Sequence, residues 1–260
     1  MIREIETLAE RASYPSLAGK RVVVSGGASG IGEGIVEGFV AQGAAVYFVD
    51  VQQKEGEALV ERHLNARIAP RFHHCDITDI DDYLAKLKSM VDELGGCDIL
   101  VNNAASDDRH SVSDVTPQYW DDRMAVNLKH QFFAAQAVVP AMKRAGGGSI
   151  VNLGSISWHL GLRDLAVYQT AKAAIEGLTR SLARELGRDN IRVNAILPGN
   201  VQTPRQMRWY TPEGEAEIVE AQCLDGRIQP CDIAAMALFL ASDDARFCTA
   251  HNYWVDAGWR

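Results

Sequence analysis

Read for its apolar and polar positions, the chain alternates between two periods along most of its length. Short apolar runs rich in β-branched residues at 20–25, 45–49, 71–75, 98–101, 149–155, 192–197 and 253–256 predict strands. Between them, apolar residues recur at three- and four-residue spacing over 31–42, 55–64, 80–94, 117–144, 164–188 and 232–241, which predicts helices. Strands alternating with helices of this length predict an α/β fold, a seven-stranded, doubly wound parallel sheet in a single domain spanning 1–260. In such a sheet ligands bind at the carboxyl ends of the strands, and Gly30, Asp50, Asp76, Asn102, Ser155 and Gly199 all fall at those ends. Two stretches break the rhythm. Residues 1–16 read as a short helical or loose arm closed by Pro15, and 201–227, aromatic and charged, reads as a substrate lid over about 200–227.

The first strand runs directly into Ser25-Gly26-Gly27-Ala28-Ser29-Gly30-Ile31-Gly32 and on into a helix. Gly26, Gly30 and Gly32 permit a tight turn and close approach of a ligand, and the free N–H groups at the helix start favour a phosphate. The second strand ends in Asp50, about 20 residues past the glycines, where an acid accepts hydrogen bonds from the adenosine ribose hydroxyls and repels a 2′-phosphate. No basic side chain stands at Ala28, Ser29 or Val51, and only Lys20 and Lys54 are near. NAD is therefore expected in preference to NADP.

The fifth apolar run delivers Ser155 to a strand end, and after a polar turn Tyr168 and Lys172 follow at a spacing of four. On a helix that spacing places phenol and ammonium on one face, one turn apart. Bringing a tyrosine from a pKa near 10 to about 7 requires roughly 4 kcal/mol of phenolate stabilisation, and a cation one turn away in a closed site is of that order. Ser155 is then expected to hold an oxygen whose proton Tyr168 moves.

Composition narrows the possibilities. The 260 residues include 47% hydrophobic and 23% charged residues, ordinary for a globular protein, and the net charge of -8 argues against nucleic-acid or anionic-membrane partners. No apolar run approaches the roughly 20 residues of a membrane span, and the N-terminal stretch has no secretory core, so a cytoplasmic location is expected. Cys75, Cys97, Cys223, Cys231 and Cys248 are scattered without metal-ligand spacing and read as reduced thiols, with no metal site.

Taken together, the glycine turn, Asn102-Asn103-Ala104-Ala105, Asn127 in VNLKH, Ser155 with Tyr168-Gln169-Thr170-Ala171-Lys172, and Pro198-Gly199 resemble the classical short-chain dehydrogenases/reductases over essentially the whole chain, with Ser25 and Ala105 in place of the usual Thr and Gly. The resemblance implies a Rossmann-type fold, Tyr168 as acid/base, Ser155 as orienter of the substrate oxygen, and Lys172 as the group that lowers the tyrosine pKa and binds the nicotinamide ribose. It also implies that Asn127 holds a water relaying protons through Lys172. The cofactor would lie along Gly26, Ser29, Gly30, Ile31, Asp50, Asp76, Ile77, Asn103, Ala104, Tyr168, Lys172, Pro198 and Val201. A homotetramer is implied as well, with 251–260 reaching a neighbouring subunit's site.

A narrower resemblance rests on 107–110, 155–162, 198–201, Arg205-Gln206, 209–215, 221–224 and 253–260. These stretches are similar to bacterial NAD-dependent aldose 1-dehydrogenases that act on D-xylose or L-arabinose, which implies oxidation of the C1 hydroxyl of a cyclic aldose to its aldonolactone. Asn200, Trp158 and Arg109, then His159, Trp209 and Arg205, are the expected sugar ligands, since they combine hydrogen-bonding groups with rings that stack on a sugar's apolar face. The competing readings are a short-chain dehydrogenase for another secondary alcohol or ketone, and a non-catalytic dinucleotide-binding sensor.

Overall fold

The structure, a computed structural model, describes residues 12–208 and 210–259. Seven strands, β1 (Arg21–Ser25), β2 (Ala45–Asp50), β3 (Arg71–His74), β4 (Ile99–Asn102), β5 (Gly148–Leu153), β6 (Ile191–Pro198) and β7 (Asn252–Val255), form one sheet in the order β3-β2-β1-β4-β5-β6-β7. Every adjacent pair is parallel. The order reverses between β1 and β4, which is where a doubly wound sheet opens its ligand crevice.

Strand alternation explains why the sheet is covered on both sides. Val22 and Val24 pack with Ile99, Val101 and Val151 against α1 (Gly30–Ala41) and α9 (Pro230–Ala241), through Ile35, Phe39 and Ala237. Val23, Leu100 and Ile150 point the other way, onto α3 (Ile80–Leu94), α5 (His130–Arg144) and α7 (Ala166–Leu186), through Leu87, Val138 and Ala183. Strands buried on both faces read as continuous apolar runs, which is what the sequence shows at 22–24 and 99–101. Helix α2 (Gln53–Arg62) covers the β2–β3 edge, and its Leu59 is fully buried.

The predicted strands and helices agree with the observed ones to within about two residues, with two exceptions. First, the long helix expected over 117–144 is interrupted: α4 (Pro117–Met124) passes through a wider π turn at Ala125–Lys129 before α5. The Asn127 Nδ2 donates to the Arg123 carbonyl at 2.9 Å, four residues back, so a side chain takes the acceptor that the regular ladder assigns to a backbone N–H. Second, the turn after β5 contains a one-turn helix, α6 (Ser157–Leu160), closed by Gly161 at φ 61. The segment expected as a lid holds a 3₁₀ turn at Gln206–Arg208 and α8 (Pro212–Glu220), and is tied back to the sheet by a parallel bridge between Val201 and Ile228. Most of the expected N-terminal arm, and Trp209, lie outside the described residues.

Among the described residues no helix is long and apolar enough to cross a membrane, and no His, Cys, Asp and Glu cluster could hold a metal ion. All five cysteines are free; burial pushes the Cys75 and Cys97 thiols up to about 12, which leaves them without thiolate character.

Candidate active site

A cleft of about 200 Å³ opens over the carboxyl ends of β4, β5 and β6. Its floor carries Ser155, Tyr168 and Lys172, and its walls include Ile31, Asn103, Asp107, Arg109, Pro198, Asn200, Val201, Gln206, Tyr210 and Trp259. The strand ends are in register, Ser25 beside Asn102 and Asn102 beside Asn152, so the loops leaving them share one rim. Asn102 and Asn152 bond each other at 2.9 Å, and Asn152 bonds Thr179 of α7 at 3.0 Å. This buried polar ladder fixes α7, and hence Tyr168 and Lys172, against β5.

Lys172 is 2% exposed and donates to the Leu153 carbonyl at 2.7 Å. Burial pushes its ammonium down to about 7, against a smaller opposing pull from the Asp107 carboxylate. Its Nζ lies 5.6 Å from the centre of the Tyr168 ring. The phenol is half-buried, and burial raises its pKa, with Asp107 adding to the rise and the neighbouring Ser155 hydroxyl and Arg205 opposing it. The expectation that Lys172 alone holds the phenol near neutrality is thus not met in the ligand-free chain. Burial penalises both charged forms, so Tyr168 rests protonated and Lys172 titrates near neutral pH. Ser155 Oγ donates to Ser157 Oγ at 3.0 Å and accepts the Ser157 N–H at 3.1 Å, so α6 fixes the hydroxyl beside the phenol.

Asn127 is fully buried, and its side chain is spent on the loop after β4: Oδ1 accepts the Ser106 N–H at 2.9 Å and Nδ2 donates to the Ser106 carbonyl at 3.0 Å. Its observed work is to hold this cleft-lining loop. A water relay would therefore have to use its backbone.

The glycine end fits a dinucleotide. Gly26 has φ 68, and a Cβ there would stand 2.7 Å from the Ala104 Cα; at Gly32 it would stand 1.8 Å from the Gly26 carbonyl oxygen. Any side chain at either position would therefore push the turn off β4 or break it. No side chain caps α1, because Ser29 Oγ instead accepts from Gln52 Nε2 at 2.7 Å, so the first-turn N–H groups have no side-chain acceptor. Asp50 is 7% exposed; one carboxylate oxygen takes the Ala28 N–H and the other the Gln52 N–H, each at 3.0 Å, which ties the acid to the turn. Asn103 donates to the Gly26 carbonyl at 2.7 Å and the Ala104 N–H to Ser25 Oγ at 3.2 Å. Asp76 is exposed with one oxygen bonded to Thr78, and Ile77 is buried behind it.

The residues expected at a sugar divide. Arg109 lines the cleft, is exposed, and has no hydrogen-bond or ion-pair partner among the described residues. Asn200 also lines it, but its Nδ2 donates to Tyr210 Oη at 2.6 Å and its Oδ1 accepts from Arg227 at 2.9 Å. Arg205 pairs with Asp107 at 2.9 Å and Asp108 at 3.5 Å on the outer edge. Trp158 and His159 turn away from the cleft: both donate to Glu176 Oε1 on α7, at 2.7 and 2.9 Å, and His159 stacks between Trp158 and Trp254. A half-buried acceptor on the neighbouring helix outcompeted the cleft for these two side chains. Asp107, Gln206 and Tyr210 were not expected to matter in this way. They form a chain in which Tyr210 donates to Gln206 at 2.9 Å and Gln206 to Asp107 at 2.7 Å. Trp259, in the segment expected to reach a neighbour's site, lines this subunit's own cleft.

Comparison with known proteins agrees with this architecture. Residues 26–260 match a family described as enoyl-(acyl carrier protein) reductase. A D-xylose 1-dehydrogenase of Caulobacter vibrioides is 57% identical over 249 residues, covering 96% of this chain and 99% of that protein. A probable galactose dehydrogenase of Rhizobium meliloti is 46% identical, covering 94% and 96%. Among solved structures, a 3-oxoacyl-[acyl-carrier protein] reductase from Brucella melitensis superposes with a TM-score of 0.89 at 31% identity, covering 99% of this chain and 97% of that one. The chain belongs to the short-chain dehydrogenases/reductases. It is accordingly an oxidoreductase that uses an NAD(P) dinucleotide.

The buried lysine gives a stability signature. Its folded pKa of about 7 lies below its unfolded value of 10.5, so between these the unfolded chain binds more protons and stability rises with pH. The ligand-free protein should gain melting temperature from about pH 7 to about pH 8.5, before thiols and phenols titrate, and Lys172→Met should flatten that slope; thermal unfolding across the interval measures it.

Proposed function

We propose that this chain oxidises the C1 hydroxyl of a cyclic aldose, a pentose such as D-xylose or L-arabinose, to the aldonolactone, with NAD as the preferred hydride acceptor. The observation that carries the reading is Ser155 and Tyr168 side by side above buried Lys172, opening into a small cleft whose wall is polar and includes Arg109, exposed and without an ion-pair partner among the described residues. The 57% identity to a D-xylose 1-dehydrogenase supports the substrate class. A large apolar alcohol is disfavoured, because the unpaired Arg109 guanidinium would lose its hydration to it without replacement.

In this reading Ser155 Oγ accepts or donates to the sugar C1 oxygen and fixes it beside Tyr168, whose phenolate takes the hydroxyl proton. The bound dinucleotide supplies the hydride acceptor. Lys172, lying beneath the ring, stabilises the phenolate when charged and would also reach a ribose hydroxyl on the glycine side. Asn103, Pro198 and Val201 would bound the nicotinamide end, and Ser29, Gly30 and Ile31 the pyrophosphate. Arg109 and the Tyr210 ring would contact the sugar, and 200–227 would act as the lid over it. A cytoplasmic homotetramer is the expected assembly.

Two outcomes test the reading. Because the resting phenol is held protonated, oxidative turnover should climb as pH rises through neutrality while lactone reduction falls. Tyr168→Phe should lower kcat at least about a thousandfold with NAD affinity within about threefold, measured as NADH formation on D-xylose, L-arabinose, D-glucose, D-galactose and L-fucose. NAD binding without turnover on any sugar would support the sensor reading instead. Asp50→Ala should raise KM for NAD far more than for NADP, since an acid at the end of the second strand would accept from the ribose hydroxyls and repel a 2′-phosphate; an unchanged ratio would remove Asp50 from cofactor choice.

A further inference from the structure

Helix α7 carries both Tyr168 and Lys172, yet it begins without a cap of its own: Leu165 stands at its N-cap position and offers no acceptor. The N–H of Val167 in its first turn is instead taken by His110 Nε2 at 3.2 Å, from the loop after β4. The His110 backbone N–H donates to the Asp164 carbonyl at 2.9 Å, in the turn where Asp164 itself adopts φ 62. On the far side of the ring, Nδ1 lies 3.1 Å from Tyr119 Oη of α4 and 3.2 Å from the Asp108 carbonyl. One residue therefore grips the start of α7 twice, its backbone at residue 164 and its imidazole at residue 167, immediately before Tyr168.

These contacts fix the ring's protonation. Nε2 accepts an N–H and so carries no proton, which places the single ring proton on Nδ1, where the Asp108 carbonyl or Tyr119 oxygen receives it. An imidazolium would aim N–H against N–H at Val167 and set a positive charge on the positive end of α7. The ionisable groups on the packed elements are Asp108 on its own loop, Tyr119 and Arg123 on α4, Asp164 ahead of α7 and Tyr168 on it. The Asp108 carboxylate is already paired with Arg123 at 2.7 Å, so it is not free to stabilise an imidazolium.

We propose that His110, in its neutral form only, is a positioning residue that caps α7 from outside the helix and sets the phenol of Tyr168 for proton transfer. The proposal rests on the assignment of Tyr168 as the acid/base. Protonation of His110 releases the first turn of α7, so turnover falls on the acid side by a route separate from titration of Tyr168 itself.

The test uses the full-length protein with NAD and its best sugar, with kcat and KM measured from about pH 5.5 to about pH 9. His110→Ala should lower kcat about tenfold, with KM for NAD within about twofold, because the loss is one of aim rather than binding. His110→Gln, whose amide oxygen can reach the Val167 N–H and does not titrate, should recover kcat to within about threefold and show a shallower acid limb than the native enzyme. Hydrogen exchange of the segment 165–170, read without turnover, should lose protection on the acid side in the native protein and keep it in His110→Gln. An alanine variant within twofold of native kcat, a glutamine variant with the native acid limb, or native protection indifferent to pH would overturn the proposal. If Tyr168→Phe stayed active, the exchange result would still decide whether His110 is the cap, which separates the two failures.

Discussion

The site depends on one buried cation. Lys172 has been carried under the Tyr168 ring with a single anchoring acceptor, the Leu153 carbonyl at the end of β5. An ammonium with no adjacent carboxylate is costly to bury, and the chain meets that cost by letting the group titrate near neutrality. Much of the surrounding architecture follows from keeping it there. The Asn102–Asn152–Thr179 ladder locks α7 to the sheet, and the π turn lets Asn127 hold the Ser106 loop across the opening. A lysine whose two protonation states lie close in energy near neutral pH is easily biased by whatever next enters the cleft.

The outer wall follows a different rule, because its polar groups are satisfied by one another. From Glu215 on α8 the bonds run through Arg227 to Asn200, Tyr210, Gln206 and Asp107, ending on Arg205. The ion pairs at the exposed end contribute little stability, since Arg205 is 49% exposed and such pairs are typically worth about 0–1 kcal/mol. Their value is geometric: they hold residues 200–208 and Tyr210 beside the cleft, with the Thr203 methyl 3.2 Å from the position a Gly30 Cβ would take. A wall preorganised in this way does not have to be ordered by the ligand.

The sheet and its helices were legible because their signals are local and repeated. Runs such as VVV at 22–24 have no reading but a doubly buried strand once helical periods flank them, and Tyr168 and Lys172 declare their shared face by spacing alone. What stayed hidden was decided by partners distant in sequence. Trp158 and His159 look like sugar ligands until Glu176, on another element, is seen to accept from both. Asn127 is expected to hold a relay water, yet Ser106 and Arg123 occupy its side chain. The π turn has no composition signature, and the pKa of Lys172 depends on how much water reaches it, which no spacing records.

That contrast bears on how the cleft discriminates between sugars. A polar side chain already bonded at both ends, as Asn200 is, can read a hydroxyl only by surrendering a bond, so it gains little from the exchange. Arg109 is under no such restriction: its donors are unspent, and a substrate hydroxyl that reaches them replaces water without breaking a protein contact. Epimers that differ in the placement of one hydroxyl would thus be separated chiefly by whether that hydroxyl meets Arg109. The difference would be one charge-assisted hydrogen bond, about 1.5–3 kcal/mol or roughly ten- to a hundredfold in kcat/KM.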